Sequence, residues 1–130
     1  MTQWSAADLI SLHDVEEIRI TPGPTPAPGS TPGSTEQTVH PGRLIWVLEI
    51  DGRVFVRSWK GPNAVWYRQA LLTHRAHIAG DGIDADVLLR ESHDADDAVD
   101  AAFLAKYPPG EAAQMNVPVP RATTLELLPA

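Results

Sequence analysis

The alternation of apolar and polar positions predicts a series of short strands and helices, and its clearest element is a β-hairpin. Two apolar runs, residues 44–50 and 53–59, are joined by Asp51-Gly52. Asp-Gly between two apolar runs favours a two-residue turn of the primed type, which also sets the pairing register. The expected pairs are Ile50 with Arg53, Leu48 with Phe55, Trp46 with Arg57, and Leu44 with Trp59.

Three helices and four further strands are predicted around this hairpin. Ser5, with Asp8 three residues later, favours a helix start, and this helix is expected to end near residue 13. Asn63 is a good N-cap for a second helix that ends near residue 74. The third helix is expected over residues 94–107, and the other strands over residues 17–20, 76–79, 83–90 and 123–128.

Residues 21–42 interrupt this pattern. They hold six of the twelve prolines and four of the nine glycines, and repeated proline prevents a strand ladder. We therefore expect a flexible loop inside one domain that spans residues 1–130. The order of the other elements indicates an α+β fold with a mainly antiparallel sheet or small barrel, flanked by two or three helices.

Charge is unevenly distributed along the chain. The net charge is −7, yet residues 52–80 contain no Asp or Glu and hold five of the ten basic side chains. Residues 81–100 do the opposite, with eight acids and one arginine. A basic stretch that contains Trp59, Trp66 and Tyr67 in an acidic protein favours a small anionic ligand. A nucleic-acid partner would normally require a basic domain, so we expect no nucleic-acid partner for this acidic protein.

Composition narrows the class of protein further. At 130 residues the chain is long enough for one core, and without cysteine it has neither disulfides nor thiolate metal sites. No apolar run approaches the roughly 20 residues that cross a bilayer, and the N-terminus lacks the basic region of a signal peptide. We therefore expect a cytoplasmic protein without a membrane partner.

The candidate site is the start of the predicted second helix. The free N–H groups of a helix start attract anions, and Arg57 and Lys60 directly precede this start. Trp59 and Trp66 offer flat surfaces for a conjugated ring. In the structural alternative, Arg57 only stacks on Trp46, and Lys60 is a solvated loop residue.

Several short motifs around this site carry a family resemblance. They are Arg57-Ser58, Gly61-Pro62 and Trp66-Tyr67-Arg68, continued by residues 102–107 and 121–125. With these motifs the chain resembles an uncharacterised bacterial family, domain of unknown function 2255. More distantly, it is similar to the deazaflavin-dependent nitroreductases and other split-barrel flavin-binding proteins. The nitroreductases carry a basic segment before the equivalent hairpin, where this chain has only His40 and Arg43.

The resemblance implies a split β-barrel that forms a homodimer and binds FMN or a deazaflavin in a cleft. It implies an oxidoreductase that transfers hydride to a small organic acceptor. It places Arg57, Ser58, Lys60 and Trp66 at the polar end of the cofactor. With Trp59 and Arg68 added, the predicted cofactor-binding residues are Arg57, Ser58, Trp59, Lys60, Trp66 and Arg68.

Two other functions stay open for the same cleft. One is a cofactor-free enzyme of the isomerase or cyclase type, and the other is a non-catalytic dimer that binds an anionic small molecule. The candidate catalytic residues are Tyr67 as a hydrogen-bond donor, and His74 or Glu49 as acid or base. No metal site is expected, because His74 and His77 lack a third ligand at a convincing spacing.

Overall fold

The computed structural model describes residues 4–23 and 42–130, and seven strands and five α-helices lie within these ranges. The strands are β1 (Glu17–Pro22), β2 (Arg43–Trp46), β3 (Leu48–Ile50), β4 (Arg53–Val56), β5 (Arg75–Gly80), β6 (Ile83–Glu91) and β7 (Leu125–Pro129). The helices are α1 (Ala6–Asp14), α2 (Val65–Thr73), α3 (Asp96–Lys106), α4 (Pro109–Ala113) and α5 (Pro118–Arg121). The predicted α+β fold with flanking helices is confirmed. The two helices beyond the expected three, α4 and α5, are short and begin at prolines.

The strands form one antiparallel sheet that curls into a nearly closed barrel. Its order is β2-β1-β5-β6-β7-β4-β3. The two end strands, β2 and β3, are separated in the chain only by Val47. One continuous segment therefore supplies both edges of the sheet, which brings these edges together. This architecture is compatible with the expected split barrel.

The predicted hairpin is present, but its ladder is shorter than expected. Ile50 pairs with Arg53 and Leu48 with Phe55, as predicted. The pairs of Trp46 with Arg57 and of Leu44 with Trp59 are wrong. They fail because the chain leaves the hairpin at Val47, and β2 pairs with β1 instead.

The bend at Val47 is held by the end of α3. The Val47 N–H donates to the Tyr107 hydroxyl over 3.2 Å, and the Lys106 ammonium donates to the Val47 carbonyl over 2.7 Å. The Tyr107 hydroxyl also donates to the Glu16 carbonyl over 2.6 Å. These side chains satisfy main-chain groups of a fully buried residue that would otherwise lack ladder partners.

The helix starts were predicted with mixed success. Ser5 caps α1 as expected, since its hydroxyl accepts from the Asp8 N–H over 3.1 Å. Asn63 as the cap of α2 is wrong. Gly61–Asn63 forms a 3₁₀ turn, so α2 starts at Val65, one residue later than predicted, and no side chain caps it.

The predicted loop over residues 21–42 is shorter at its N-terminal end than expected. Thr21 and Pro22 extend β1 and pair with β5. Residues 24–41 lie outside the described part of the chain, so the loop prediction stays a prediction there. In the described ranges no helix combines the length and the apolar character that a membrane span requires.

Two apolar clusters hold the fold together. One fills the barrel and includes the inward side chains of β4, Val54 and Val56. The other lies outside the barrel wall, where Phe55 packs with α3 residues such as Phe103. Strand β4 is therefore buried on both faces, and full burial of a Phe or Val side chain contributes about 1.5–3 kcal/mol. The chain that leaves β4 reaches the candidate site with little freedom.

Candidate functional site

A cavity of about 480 Å³ lies between the barrel and the start of α2. This volume is in the range of about 300–1,000 Å³ that small-molecule sites occupy. Three of the four tryptophans, Trp46, Trp59 and Trp66, line it, and we call it the tryptophan cavity. Its walls come from the β1–β2 edge, from the connection between β4 and α2, and from α4 with the residues that follow.

The structure brings five of the six predicted cofactor residues to this cavity. These five are Arg57, Ser58, Trp59, Lys60 and Trp66. Arg68 is the exception. It lies on another face of α2, at a smaller cavity of about 220 Å³ that Val65, Gln69 and Leu72 also line.

Arg57 reaches the cavity wall, but its guanidinium is engaged inside the protein. The side chain is fully buried, and its Nε donates to Thr124 Oγ1 over 2.8 Å. Nη1 donates to Asp100 Oδ1 over 2.7 Å and to the Met115 carbonyl over 3.0 Å. Asp96 lies 3.5 Å from Nη2. These bonds occupy the guanidinium donors, so the charge of Arg57 is balanced by acids of α3.

The same pairing explains the uneven distribution of charge along the chain. Arg53, at the other end of β4, donates to Asp94 and to the buried Glu126. Hydrogen bonding to Arg53 lowers the pKa of Glu126, and Arg90 acts in the same direction. The acid-rich stretch before and within α3 therefore pairs with Arg53, the first residue of β4, and with Arg57, which directly follows β4. Two of the five basic side chains of residues 52–80 are therefore engaged inside the protein and not available to a ligand.

Two other cations remain at the tryptophan cavity. Lys60 and Arg43 line it, and both are exposed. Within residues 4–23 and 42–130, neither side chain forms an ion pair. Lys60 lies next to the 3₁₀ turn that leads into α2, whose first turn has no side-chain cap. A lysine beside an uncapped helix start favours a negative group.

Ser58 and Gly61 fix the backbone that carries Lys60. The Ser58 hydroxyl donates to the Gly61 carbonyl over 2.7 Å, and the Ser58 N–H donates to Thr123 Oγ1 over 2.8 Å. Gly61 has a φ of +71°, and a Cβ at this position would collide with Val119 of α5. The hydroxyl of Ser58 is thus used to shape the turn.

The three tryptophans of the cavity differ in their freedom. Trp46 is stacked on Tyr107 with ring centroids 3.9 Å apart, and Trp66 is buried edge-on against Tyr67. Trp59 is 59% exposed, and its indole N–H donates to Gln114 Oε1 over 3.2 Å. Two faces of the cavity are therefore rigid, and the third aromatic wall stands at the mouth.

None of the three catalytic candidates lines the tryptophan cavity. Tyr67 is buried, and burial raises the pKa of its hydroxyl. His74 ends α2 with a left-handed backbone, φ 56°, and its Nδ1 lies 3.2 Å from the Leu89 carbonyl. Glu49 accepts from the Gly52 N–H at the hairpin turn. Each of these residues has contacts within the fold, and none is among the residues that line the cavity.

The sequence reasoning missed the polar residues that come from distant segments. They are Glu17 on β1, Glu111 on α4 and Gln114 after it, and Arg43 was noted only as a remnant of a basic segment. No local pattern marks them, because only the barrel and the position of α4 bring them to the cavity. Among the described residues, no group of three or more His, Asp or Glu side chains could hold a metal ion.

Comparison with known families agrees with the motifs around the cavity. No curated protein matches the chain. A family model described as "Uncharacterized protein conserved in bacteria (DUF2255)" matches residues 9–127, which include strands β1 to β6, the first three residues of β7 and every cavity residue discussed above. The chain therefore belongs to the DUF2255 family.

Proposed function

We propose that the protein binds a flat, anionic small molecule in the tryptophan cavity, and that this molecule is FMN or a deazaflavin. With such a cofactor the protein would be an oxidoreductase that transfers hydride to a small organic acceptor. The observation that carries the proposal is the cavity of about 480 Å³ in which three tryptophans meet Lys60 at an uncapped helix start.

The residues of the cavity fit the two parts of such a cofactor. Trp59 and Trp66 present aromatic surface to a conjugated ring. Lys60 and the N–H groups at the start of α2 suit a phosphate, which a lysine binds as a point charge. When bound, the cofactor supplies the redox chemistry, and the protein supplies binding, orientation and exclusion of water.

Arg57 has a supporting role in this proposal. Its guanidinium is balanced by Asp96 and Asp100, so we assign the contact with the anion to Lys60 and Arg43. Arg57 and Ser58 hold the connection from β4 to α2 in place, which positions Trp59 and Lys60. Arg68 has no part in the contact, because it faces the smaller cavity.

We also propose that a second copy of the chain covers the mouth of the cavity. Leu44, Trp59 and Val65 line the cavity and are 51%, 59% and 52% exposed. Exposed apolar side chains grouped around one opening are typical of an interaction surface. Light scattering coupled to size-exclusion chromatography should give twice the mass of 14.1 kDa, and a monomer with full ligand binding would refute this part.

The proposal is tested by the absorbance of the purified protein and by titration with FMN and 5-deaza-FMN. We expect saturable quenching of tryptophan fluorescence at micromolar concentration. Lys60→Gln should weaken binding by about tenfold or more, since a hydrogen bond to a charged group contributes about 1.5–3 kcal/mol. Arg75→Gln removes an exposed cation away from the cavity and is the matched control.

The outcomes separate the candidate functions. Failure of both cofactors to bind refutes the flavin part of the proposal. If naphthalene-1-sulfonate still binds and Lys60→Gln weakens it, the cavity belongs to a cofactor-free enzyme or a non-catalytic binder. If no anion binds, the proposed site itself is refuted.

A further inference from the structure

We infer that the ligand of the tryptophan cavity carries its negative charge at one end and a hydrogen-bond donor at the other. This inference rests on the proposed function and deepens it. The cavity is lined by two carboxylates, Glu17 and Glu111, in addition to the cations Arg43 and Lys60. In the described ranges no ion pair joins the four side chains to one another, so the charges at the cavity do not neutralise each other.

The β1–β2 wall separates the two signs of charge. Glu17 pairs with Trp46 at one end of this ladder, and Ile20 pairs with Arg43 at the other. Three residue steps separate the two positions along a strand, which corresponds to about 10 Å. Because side chains alternate between the two faces of a strand, Glu17 lies beside the Trp46 ring, whereas Arg43 lies on the other face of this edge ladder. The carboxylate and the guanidinium are therefore held apart.

Glu111 places a second carboxylate beside the mouth. It lies in the first turn of α4, three residues before Gln114, and residues at this spacing share one face of a helix. The Gln114 side chain accepts the hydrogen bond of the Trp59 indole. Glu111 thus stands near the aromatic wall that we assign to the ring of the ligand.

The two carboxylates determine which chemical groups the ring end of the ligand can carry. An ionised carboxylate only accepts hydrogen bonds, so it favours N–H or O–H groups on the ligand. It repels a second anionic group, and such repulsion is a common source of specificity. A ring with an amine or imide N–H therefore fits the cavity, whereas a ring with negative groups at both ends does not.

Three naphthalene probes test this preference by isothermal titration calorimetry. They share one ring and differ at the far position: 5-aminonaphthalene-1-sulfonate has a donor, naphthalene-1-sulfonate has hydrogen, and naphthalene-1,5-disulfonate has a second anion. We expect affinity to fall in that order, with about tenfold or more between the first and the last. Glu111→Gln and Glu17→Gln should each narrow this range, and Glu91→Gln, an exposed acid outside the cavity, should not.

Each other outcome overturns the inference. Equal affinity for the three probes, or tightest binding of the disulfonate, refutes it and leaves the proposed anion site in place. A range of affinities that neither Glu111→Gln nor Glu17→Gln narrows also refutes it. If the wild-type protein binds none of the probes at millimolar concentration, both the inference and the anion site are refuted.

Discussion

Replacing Arg57 by methionine tests whether this arginine connects the barrel to α3 or serves a ligand. Methionine retains an unbranched apolar side chain near the Phe103 ring, over which the guanidinium lies at 5.5 Å. The substitution removes the positive charge and all the guanidinium donors. Asp96 and Asp100 then lose a partner, and Thr124 Oγ1 and the Met115 carbonyl lose a hydrogen bond.

The expected loss of unfolding free energy is about 3–5 kcal/mol, the usual cost of removing one partner of a buried ion pair. Asp100 retains its ion pair with Arg121, whose Nε lies 3.0 Å away, so we expect a loss near the lower end of this range. Domains of this size are stable by only about 5–15 kcal/mol, so the loss is a large fraction. With a urea dependence of about 1–3 kcal/mol per M, the midpoint of unfolding should fall by about 1 M or more.

Urea unfolding followed by circular dichroism measures this loss. Asp100→Asn and the double variant complete a cycle, in which we expect a coupling of about 0.5–3 kcal/mol between residues 57 and 100. Arg68→Met changes an exposed arginine of α2 in the same way and should stay within about 0.5 kcal/mol of the wild type. If Arg57→Met is as stable as Arg68→Met, the structural role of Arg57 is refuted.

Three further predictions concern the elements that hold the site. In Gly61→Ala the new methyl group meets Val119 at a φ of +71°, so we expect a loss of about 1–3 kcal/mol. Gly110→Ala, in open space, should melt near the wild-type temperature, and equal melting of both variants would contradict the argument. Tyr107→Phe leaves the Val47 N–H without its acceptor and should cost about 1–3 kcal/mol in urea unfolding, whereas an unchanged midpoint would show that the bend does not need the hydroxyl. Burial lowers the pKa of Lys106 from 10.5 to about 8, so between these values the unfolded chain binds more protons. Stability should therefore rise from about pH 8, until Tyr107, whose pKa is raised by burial, opposes the rise above about pH 10. This rise in stability should be weaker in Lys106→Met. If the variant and the wild type show the same dependence of stability on pH, the Lys106 amine does not cause the rise.

Local patterns in the sequence predicted the local elements well. The Asp51-Gly52 turn sets its own register within a few residues, and Ser5 caps α1 through an N–H only three residues away. Such signals need no knowledge of the rest of the chain. The sequence predicted only that the strands form a mainly antiparallel sheet or a small barrel. The alternation of apolar and polar residues along a strand does not show which strand edges pair.

The parts that failed depend on contacts between distant segments. The hairpin ladder ends at Val47 because Tyr107, sixty residues later, takes its main-chain N–H. The acid-free stretch resembled a ligand site, but Arg57 is neutralised by Asp100, which lies 43 residues away in sequence. Charge along the chain therefore pointed to the segment that borders the tryptophan cavity. Only the fold shows that Arg57 is paired there, whereas Lys60 and Arg43 line the cavity without an ion pair among the described residues.

The most direct test of the tryptophan cavity is a ¹⁵N-tryptophan NMR titration with FMN and with naphthalene-1-sulfonate. The protein has four indole N–H groups, and Trp4 serves as an internal control because it lies outside the cavity and donates to the Leu127 carbonyl. We expect saturable shifts of the Trp59 and Trp66 resonances, with Trp4 unchanged. Shifts that are absent, or that are equally large at Trp4, would contradict a ligand site in the tryptophan cavity.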